Sequence, residues 1–270
     1  MCRLPASAAL FSACAFALCQ NLSSDSLDQA LLAKTRSLYD APFTRNLLSF
    51  DCAVQFDWKK HVAAAIGSVP PALAPAINQL QAVQHRVTVD RASGAVVSAV
   101  STPDQATLPQ TSRLENIFDK MVAGGLNAWM PFSTNVILPM GTTKYSFQHV
   151  DAGYKVILKG DGVDADLLLT PELRMTSGVS ELPQPMRFST SFIDGPHGYL
   201  LSAVKTGSTT DTSAAGDATF TYTWQTVQEF QLPSTVTITP SNPESWRYTL
   251  IDCKVTTGIT VNVGSPPKAK

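Results

Sequence analysis

The sequence predicts an α+β protein in which a curved antiparallel β-sheet, an incomplete barrel, is covered on one face by helices. Two observations carry this prediction. Apolar residues repeat at helical spacing only in the N-terminal half, whereas from Lys144 onward they alternate at the period of two that is typical of strands. Helices that precede a run of strands indicate an α+β fold rather than an alternating α/β fold.

The first predicted helix covers residues 25–39. Ser26 and Gln29 form a capping-box pattern, leucines follow at helical spacing, and Pro42 ends the pattern. Residues 48–58 then alternate between apolar and polar side chains, with an apolar residue at every second position. This alternation predicts a strand with one buried face.

Two smaller elements follow that strand. Pro70 and Pro71 precede a short helix with an apolar stripe. Residues 86–90 and 95–100 have the pattern of a β-hairpin, with its turn at residues 91–94.

The clearest helix is predicted at residues 112–122. Ser112 and Glu115 form a second capping box, and apolar residues follow at i, i+3, i+4, i+7 and i+8. We expect the pair Gly124-Gly125 to stop or kink this helix, and Pro131 to lie in a loop beyond it.

From Lys144 to Val255 the alternation predicts about seven antiparallel strands. Because no internal repeat or linker interrupts this part, residues 21–258 are predicted to form a single half-barrel-like domain. Residues 259–270 are predicted to be a disordered tail.

Residues 1–20 have the pattern of a signal peptide, in which Arg3 is the only charge and an apolar run follows. The pattern predicts a periplasmic or secreted protein that is cleaved before Gln20. The run is shorter than the roughly 20 apolar residues that span a bilayer. A misassigned start or a short anchor is one alternative. Another is a lipid anchor at Cys14 or Cys19, although neither cysteine follows good lipobox residues.

Removal of this segment would leave two of the five cysteines, Cys52 and Cys253. An even pair in an exported chain favours a disulfide, here between the first and last predicted strands. Two buried free thiols are the alternative.

The charge balance excludes the partners that need a basic surface. Lys and Arg total 20 against 21 Asp and Glu, and charged residues make up 15% of the chain. We therefore expect no binding to nucleic acid.

Motifs for catalysis are missing from the sequence. None of the four histidines has a metal-ligand spacing to another, and no phosphate-binding, dinucleotide-binding or nucleophile-elbow motif occurs. The prediction is a protein that is not an enzyme and holds no metal or cofactor. A hydrolase built on His149 or His197, each at a hairpin end, is a further hypothesis.

The strongest remaining pattern consists of aromatic side chains on one side of several strands. They form an ordinary core under the helices, or they line a pocket that the helices do not fill. On the second interpretation the ligand-binding residues are Phe56, Trp58, Phe118, Tyr145, Phe147, Phe188, Phe220, Tyr222 and Trp224.

The order of elements resembles the bacterial periplasmic lipoprotein-carrier superfamily, the LolA/LolB-type half-barrels. Residues 227–238, with sequence VQEFQLPSTVTI, resemble the late strand, Leu-Pro and strand element of that group. The cysteine pair and the hairpin at residues 86–100 depart from the family pattern. The resemblance implies that the cavity binds acyl chains without covalent chemistry.

Two functional hypotheses follow. The first is an extracytoplasmic binding protein that holds a lipid or a lipoprotein acyl chain between the concave sheet and the helix at residues 112–122. Its partners would be an apolar small molecule and a membrane lipoprotein or envelope protein, and the protein would be a monomer. The second is an extracytoplasmic structural or interaction module with a solid core and no ligand.

Overall fold

The computed structural model describes residues 24–100, 109–134, 138, 144–160, 163–182, 185–209, 217–241 and 245–258. The predicted signal peptide at residues 1–20 and the predicted tail at residues 259–270 lie outside these residues. They stay predictions.

Four helices and twelve strands make up the described part of the chain. The helices are α1 (Ser24–Ser37), α2 (Trp58–Ile66), α3 (Ala74–Ala82) and α4 (Pro109–Ser133), and a 3-10 turn covers Pro42–Thr44. The strands are β1 (Leu47–Gln55), β2 (Gln84–Asp90), β3 (Gly94–Val100), β4 (Lys144–Val150), β5 (Gly153–Gly160), β6 (Val163–Leu169), β7 (Met175–Leu182), β8 (Met186–Gly195), β9 (Gly198–Ser208), β10 (Ala218–Val227), β11 (Phe230–Pro240) and β12 (Trp246–Thr257).

All twelve strands belong to one antiparallel sheet, in the order β3-β2-β1-β12-β11-β10-β9-β8-β7-β6-β5-β4. From β4 to β12 each strand pairs with the next along the chain, and β12 then pairs with β1. The sheet is curved but does not close, since β3 and β4 form its two edges. The predicted fold class is confirmed. After α4 the described residues form nine strands, rather than about seven.

The hairpin at residues 86–100, which departs from the family pattern, corresponds to β2 and β3 at one edge of the sheet. β2 pairs with β1, and β3 pairs with β2 in a continuous register from Gln84 opposite Val100 to Asp90 opposite Gly94. The hairpin therefore extends the sheet beyond β1.

Both edge strands receive a hydrogen bond partner from a helix. Asn127 of α4 accepts a bond of 3.0 Å from the Ala95 amide in β3, and Asp28 of α1 accepts one of 3.2 Å from the Phe147 amide in β4. Unpaired amides at a sheet edge are a template for aggregation. Each of these two side chains therefore pairs with one amide of an edge strand, and each also links its helix to that edge.

Helix α4 packs along the inner face of the sheet. Its inward side chains Phe118, Val122, Leu126 and Trp129 are at most 1% exposed. A Cβ atom added to Gly125 would lie 2.6 Å from the Tyr248 hydroxyl. The glycine therefore allows the helix to approach the sheet closely. The space between this helix and the sheet is filled by packed side chains.

The helix does not stop at Gly124-Gly125, and the expectation that Pro131 lies in a loop is wrong. Helix α4 runs through both glycines and through Pro131 to Ser133. Tertiary contacts offset the low helix propensity of glycine here, because Tyr222 donates a hydrogen bond of 2.9 Å to the Gly125 carbonyl and Tyr248 one of 3.0 Å to the Val122 carbonyl. Pro131 lies in the last turn, where a missing amide removes one bond.

The predicted strand at residues 48–58 is correct in its centre and wrong at both ends. At its start Leu47 is 1% exposed and Leu48 is 48% exposed, because a register shift between residues 47 and 49 reverses the alternation. At its end Asp57 caps a new helix by accepting a bond of 2.9 Å from the Lys60 amide. Trp58 therefore begins α2 instead of ending a strand.

Cys52 and Cys253 form a disulfide, as predicted, with their Cα atoms 4.1 Å apart and 201 residues apart in sequence. A register shift between Asp51 and Ala53 places an extra residue of β12, Asp252, at a positive φ of 50°. The bridge covalently joins the first strand to the last, which are neighbours in the sheet.

Candidate ligand-binding site

A groove of about 1110 Å³ lies at the end of β1, β2 and β12, where α2 and α3 meet the sheet. Its volume is slightly above the range of small-molecule sites, about 300–1,000 Å³. Its apolar lining consists of Ala53, Val54, Phe56, Trp58, Ala64, Leu80, Val83 and Ile251, and its polar lining of Gln55, Asp57, Lys60, His61, Gln81, Gln84, His85, Arg86, Ser245, Arg247, Thr249 and Asp252.

Rings at this end of the sheet form what we call the aromatic cluster: Phe56, Trp58, His61, Phe118 and Trp246. Phe56 is at its centre, stacked on Trp246 with ring centroids 5.5 Å apart and an interplanar angle of 17°. It also meets Trp58 edge-on at 4.8 Å and Phe118 at 4.9 Å. His61 lies over Trp246 at 4.1 Å. The cluster supplies a rigid apolar wall next to the groove.

The connection between β1 and α2 is held by a glutamine of α3. The Gln81 side chain accepts a hydrogen bond of 3.0 Å from the Trp58 amide and donates one of 3.1 Å to the Phe56 carbonyl. These two bonds place the backbone of two groove residues relative to α3. Gln81 is therefore a positioning residue for the aromatic cluster.

A buried histidine lies in the groove wall. His85 of β2 is 3% exposed, and its Nδ1 atom lies 3.2 Å from Oδ1 of Asp119 in α4 without being aligned for a hydrogen bond. Burial lowers the pKa of His85, against the opposing effects of Asp119 and Glu115. Burial likewise raises the pKa of Asp119. The imidazole lies close to Phe118, with the two ring centroids 4.8 Å apart.

Cationic side chains outnumber acidic ones in the lining of the groove. Lys60, Arg86 and Arg247 all line it, together with Asp57 and Asp252. Arg86 is anchored by hydrogen bonds to Asp51, which include one of 2.7 Å from its Nε. An apolar wall with an excess of cationic side chains fits an amphipathic ligand with an acidic or polar end.

The structure brings three of the nine predicted ligand-binding residues together at this groove. Phe56 and Trp58 line it, and Phe118 packs against both at 4.9 and 5.3 Å. Their common signal in the sequence was aromatic character. What brings them together is the close approach of β1, α2 and α4.

Two other predicted residues pack against α4. Tyr222 bonds the Gly125 carbonyl, and the ring centroid of Trp224 lies 6.1 Å from that of Trp129. The structure therefore places both in the packed layer between sheet and helix.

The remaining four predicted residues lie on β4, β8 and β10, where they are half-buried. Tyr145 and Phe147 contact one another at 6.4 Å, and Phe188 contacts Phe132 at 6.4 Å. Phe220 packs against the core. None of the four lines the groove at the end of β1.

Four residues of the groove and the aromatic cluster were not predicted from the sequence: His61, Gln81, Trp246 and Arg247. No local pattern distinguishes them, because their contacts join different elements, as those of Gln81 with Phe56 and of His61 with Trp246 do.

The described residues contain no metal cluster and no membrane-spanning helix. Among the described residues, no three His, Cys, Asp or Glu side chains are grouped as a metal ion would require. No helix in the same part of the chain has both the length and the apolar character needed to cross a membrane.

Comparison with known proteins identifies few relatives. No family model matches the sequence, and no curated protein matches it. Among solved structures, a crystal structure of a LolA superfamily protein from Nitrosomonas europaea matches with 11% sequence identity and a TM-score of 0.33. The match covers 86% of this chain and 94% of the other.

Proposed function

We propose that the protein is an extracytoplasmic binding protein that holds a lipid or a lipoprotein acyl chain in the groove at the end of β1, β2 and β12, without covalent chemistry. The observation that carries the proposal is the aromatic cluster centred on Phe56, beside a groove of about 1110 Å³. An acyl chain would lie against the rings, where burial contributes roughly 25 cal/mol per Å². Its polar end would face Lys60 and Arg247.

The proposed site differs from the position expected from the sequence. That expectation was a ligand under the helix at residues 112–122, a layer that Phe118, Val122 and Leu126 fill. The groove is the neighbouring volume, beyond Phe118 and toward α2 and α3. One predicted wall residue, Phe118, thus separates the packed layer from the groove.

A location outside the cytoplasm is part of the proposal. The Cys52–Cys253 disulfide supports it, because disulfides persist in oxidising compartments. The sequence pattern of residues 1–20 supports the same location.

The test is lipid binding by the purified protein. Native mass spectrometry should show a bound lipid or fatty acid, and titration with a long-chain fatty acid should saturate at one site. Phe56→Ala should weaken the affinity about tenfold, since it removes the central ring. The matched control is Phe147→Ala, a half-buried aromatic residue on β4, which should leave the affinity unchanged.

A ligand-free mass with no uptake of fatty acid would overturn the proposal. Equal losses in Phe56→Ala and Phe147→Ala would instead place the ligand on the inner face of β4–β10.

The packed layer under α4 favours a second candidate function. Because Phe118, Val122, Leu126 and Trp129 leave no exposed surface there, the protein also fits an extracytoplasmic interaction module with a solid core. This candidate predicts that neither native mass spectrometry nor titration detects a lipid, and that a protein partner is retained instead.

A further inference from the structure

The segment between β1 and β2 is unusual in charge and in exposure. Between Gln55 and Gln84 the chain has the cations Lys59 and Lys60 and one acidic residue, Asp57, in a protein whose net charge is −1. Helices α2 and α3 form a hairpin within this segment. We call residues 64–75, which run from the end of α2 to the start of α3, the apolar turn.

The apolar turn is exposed although almost none of its side chains is polar. Ile66 is 56% exposed and Leu73 is 41% exposed. Ala64, Ala65, Pro71, Ala72 and Pro75 are exposed as well, and Ser68 is the one residue between 64 and 75 with a polar side chain. A contiguous exposed apolar surface of this kind marks an interaction site.

The two lysines stand where the helix itself does not favour them. Lys59 and Lys60 are in the first turn of α2, and Asp57, which caps the helix, is the acidic residue beside them. The positive end of a helix dipole disfavours cations there. Both lysines are exposed, and the helical rise places them about 10 Å along the axis from Ile66 in the apolar turn.

We propose that the α2–α3 hairpin docks on an anionic lipid bilayer, with the apolar turn among the lipid headgroups and with Lys59 and Lys60 against lipid phosphates. Apolar insertion next to a basic cluster is how peripheral proteins bind such surfaces. A second copy of the chain would bring the same cations face to face, which is repulsive. The proposal does not depend on a ligand in the groove.

Docking in this way would bring the groove to the bilayer. Lys60, His61 and Ala64 belong to α2 and also line the groove. The hairpin that touches the membrane is thus one wall of the proposed lipid site.

The test is cosedimentation of the full chain with vesicles. The protein should bind vesicles that contain phosphatidylglycerol and should bind those of pure phosphatidylcholine much more weakly, and added salt should weaken the binding. Neutralising both lysines in Lys59→Gln with Lys60→Gln should lower the affinity by about fivefold for each lysine. Lys34→Gln, an exposed lysine of α1, should have no effect.

The contribution of the apolar turn to vesicle binding is tested with a second set of variants and a matched control. Ile66→Asp or Leu73→Asp should abolish binding to the anionic vesicles. Ile193→Asp, which places the same charge at a position in β8 that is 47% exposed, should leave binding intact. Circular dichroism of each variant should match the unsubstituted protein, because both turn residues are exposed and replacing them removes no core contact.

Three outcomes would overturn the proposal: equal binding to both vesicle types, equal effects of Ile66→Asp and Ile193→Asp, or a stable dimer in light scattering that Ile66→Asp dissociates. The proposed function fails separately. Phe56→Ala should lose fatty acid affinity and keep vesicle binding, whereas Ile66→Asp should do the reverse.

Discussion

The side-chain amide of Gln81 in α3 donates a hydrogen bond of 3.1 Å to the carbonyl of Phe56, 25 residues earlier in the chain. The same side chain accepts a bond from the Trp58 amide. One polar residue on a short helix therefore holds the backbone that presents the aromatic cluster to the groove.

We expect Gln81→Ala to destabilise the protein by about 1 kcal/mol, since it leaves the Trp58 amide without its partner. It should also weaken fatty acid binding several-fold, because Phe56 would no longer be held in place. Urea unfolding and ligand titration measure the two effects. Gln148→Ala, which replaces an exposed glutamine of β4 outside the groove, is the control and should change neither quantity.

The adjacent glycines of α4 should respond in opposite directions to alanine. Nothing lies within 4 Å of a Cβ placed on Gly124, so Gly124→Ala should stabilise the protein by about 0.5–1 kcal/mol through helix propensity. On Gly125 the added Cβ would meet Tyr248, Val236 and Ile238, so Gly125→Ala should destabilise by about 1–3 kcal/mol. Thermal unfolding of the two variants distinguishes them. Similar shifts would contradict the packing described for α4.

Reducing the disulfide should destabilise the fold by up to about 5 kcal/mol on the chain-entropy model, because the bridge closes a loop of 201 residues. Unfolding of Cys52→Ala with Cys253→Ala, compared with the unsubstituted protein, measures the loss. Thiol labelling of denatured protein should find two more reactive thiols after reduction than before it. An unchanged thiol count would show that the two cysteines are free.

Protonation of His85 should destabilise the protein as the pH falls. Burial lowers the pKa of His85 in the folded state below its ordinary value of about 6.5, so the unfolded chain binds this proton first. Stability attributable to His85 is therefore present above about pH 6.5 and decreases below it. The raised pKa of Asp119 acts with the opposite sign, nearer to the ordinary carboxyl range.

Urea unfolding at pH 7.5 and at pH 5.5 measures this slope. His85→Gln should reduce the difference in unfolding free energy between the two pH values, whereas His149→Gln, which replaces an exposed histidine of β4, should keep it. An unaltered slope in His85→Gln would assign the acid sensitivity to another group.

Much of the fold could be predicted because strands and helices have local periods. The alternation from Lys144 onward predicted the antiparallel sheet, and the spacing at residues 112–122 predicted the principal helix. The predictions failed where a distant partner overrides a local preference. Tyr222 and Tyr248 hydrogen-bond α4 beside its glycines, and the cap at Asp57 turns a predicted strand end into α2.

The candidate site could be predicted only in part. Aromatic character identified Phe56, Trp58 and Phe118, which meet beside the groove. It did not separate them from Tyr222 and Trp224, which have the same chemistry and pack against α4. Side-chain type alone does not reveal whether a ring faces a filled layer or an open volume.

The sequence by itself determined the fold class, because helices and strands follow from periods of two to four residues, and its cysteine count favoured a disulfide between Cys52 and Cys253. Only the tertiary structure decided which side of Phe118 is filled and which is open. That difference depends on distances between β1, α2 and α4, and those distances are set by contacts such as Gln81 with Phe56 and Tyr248 with Val122. The space left between elements depends on how they pack against one another, so it is defined only in the assembled fold.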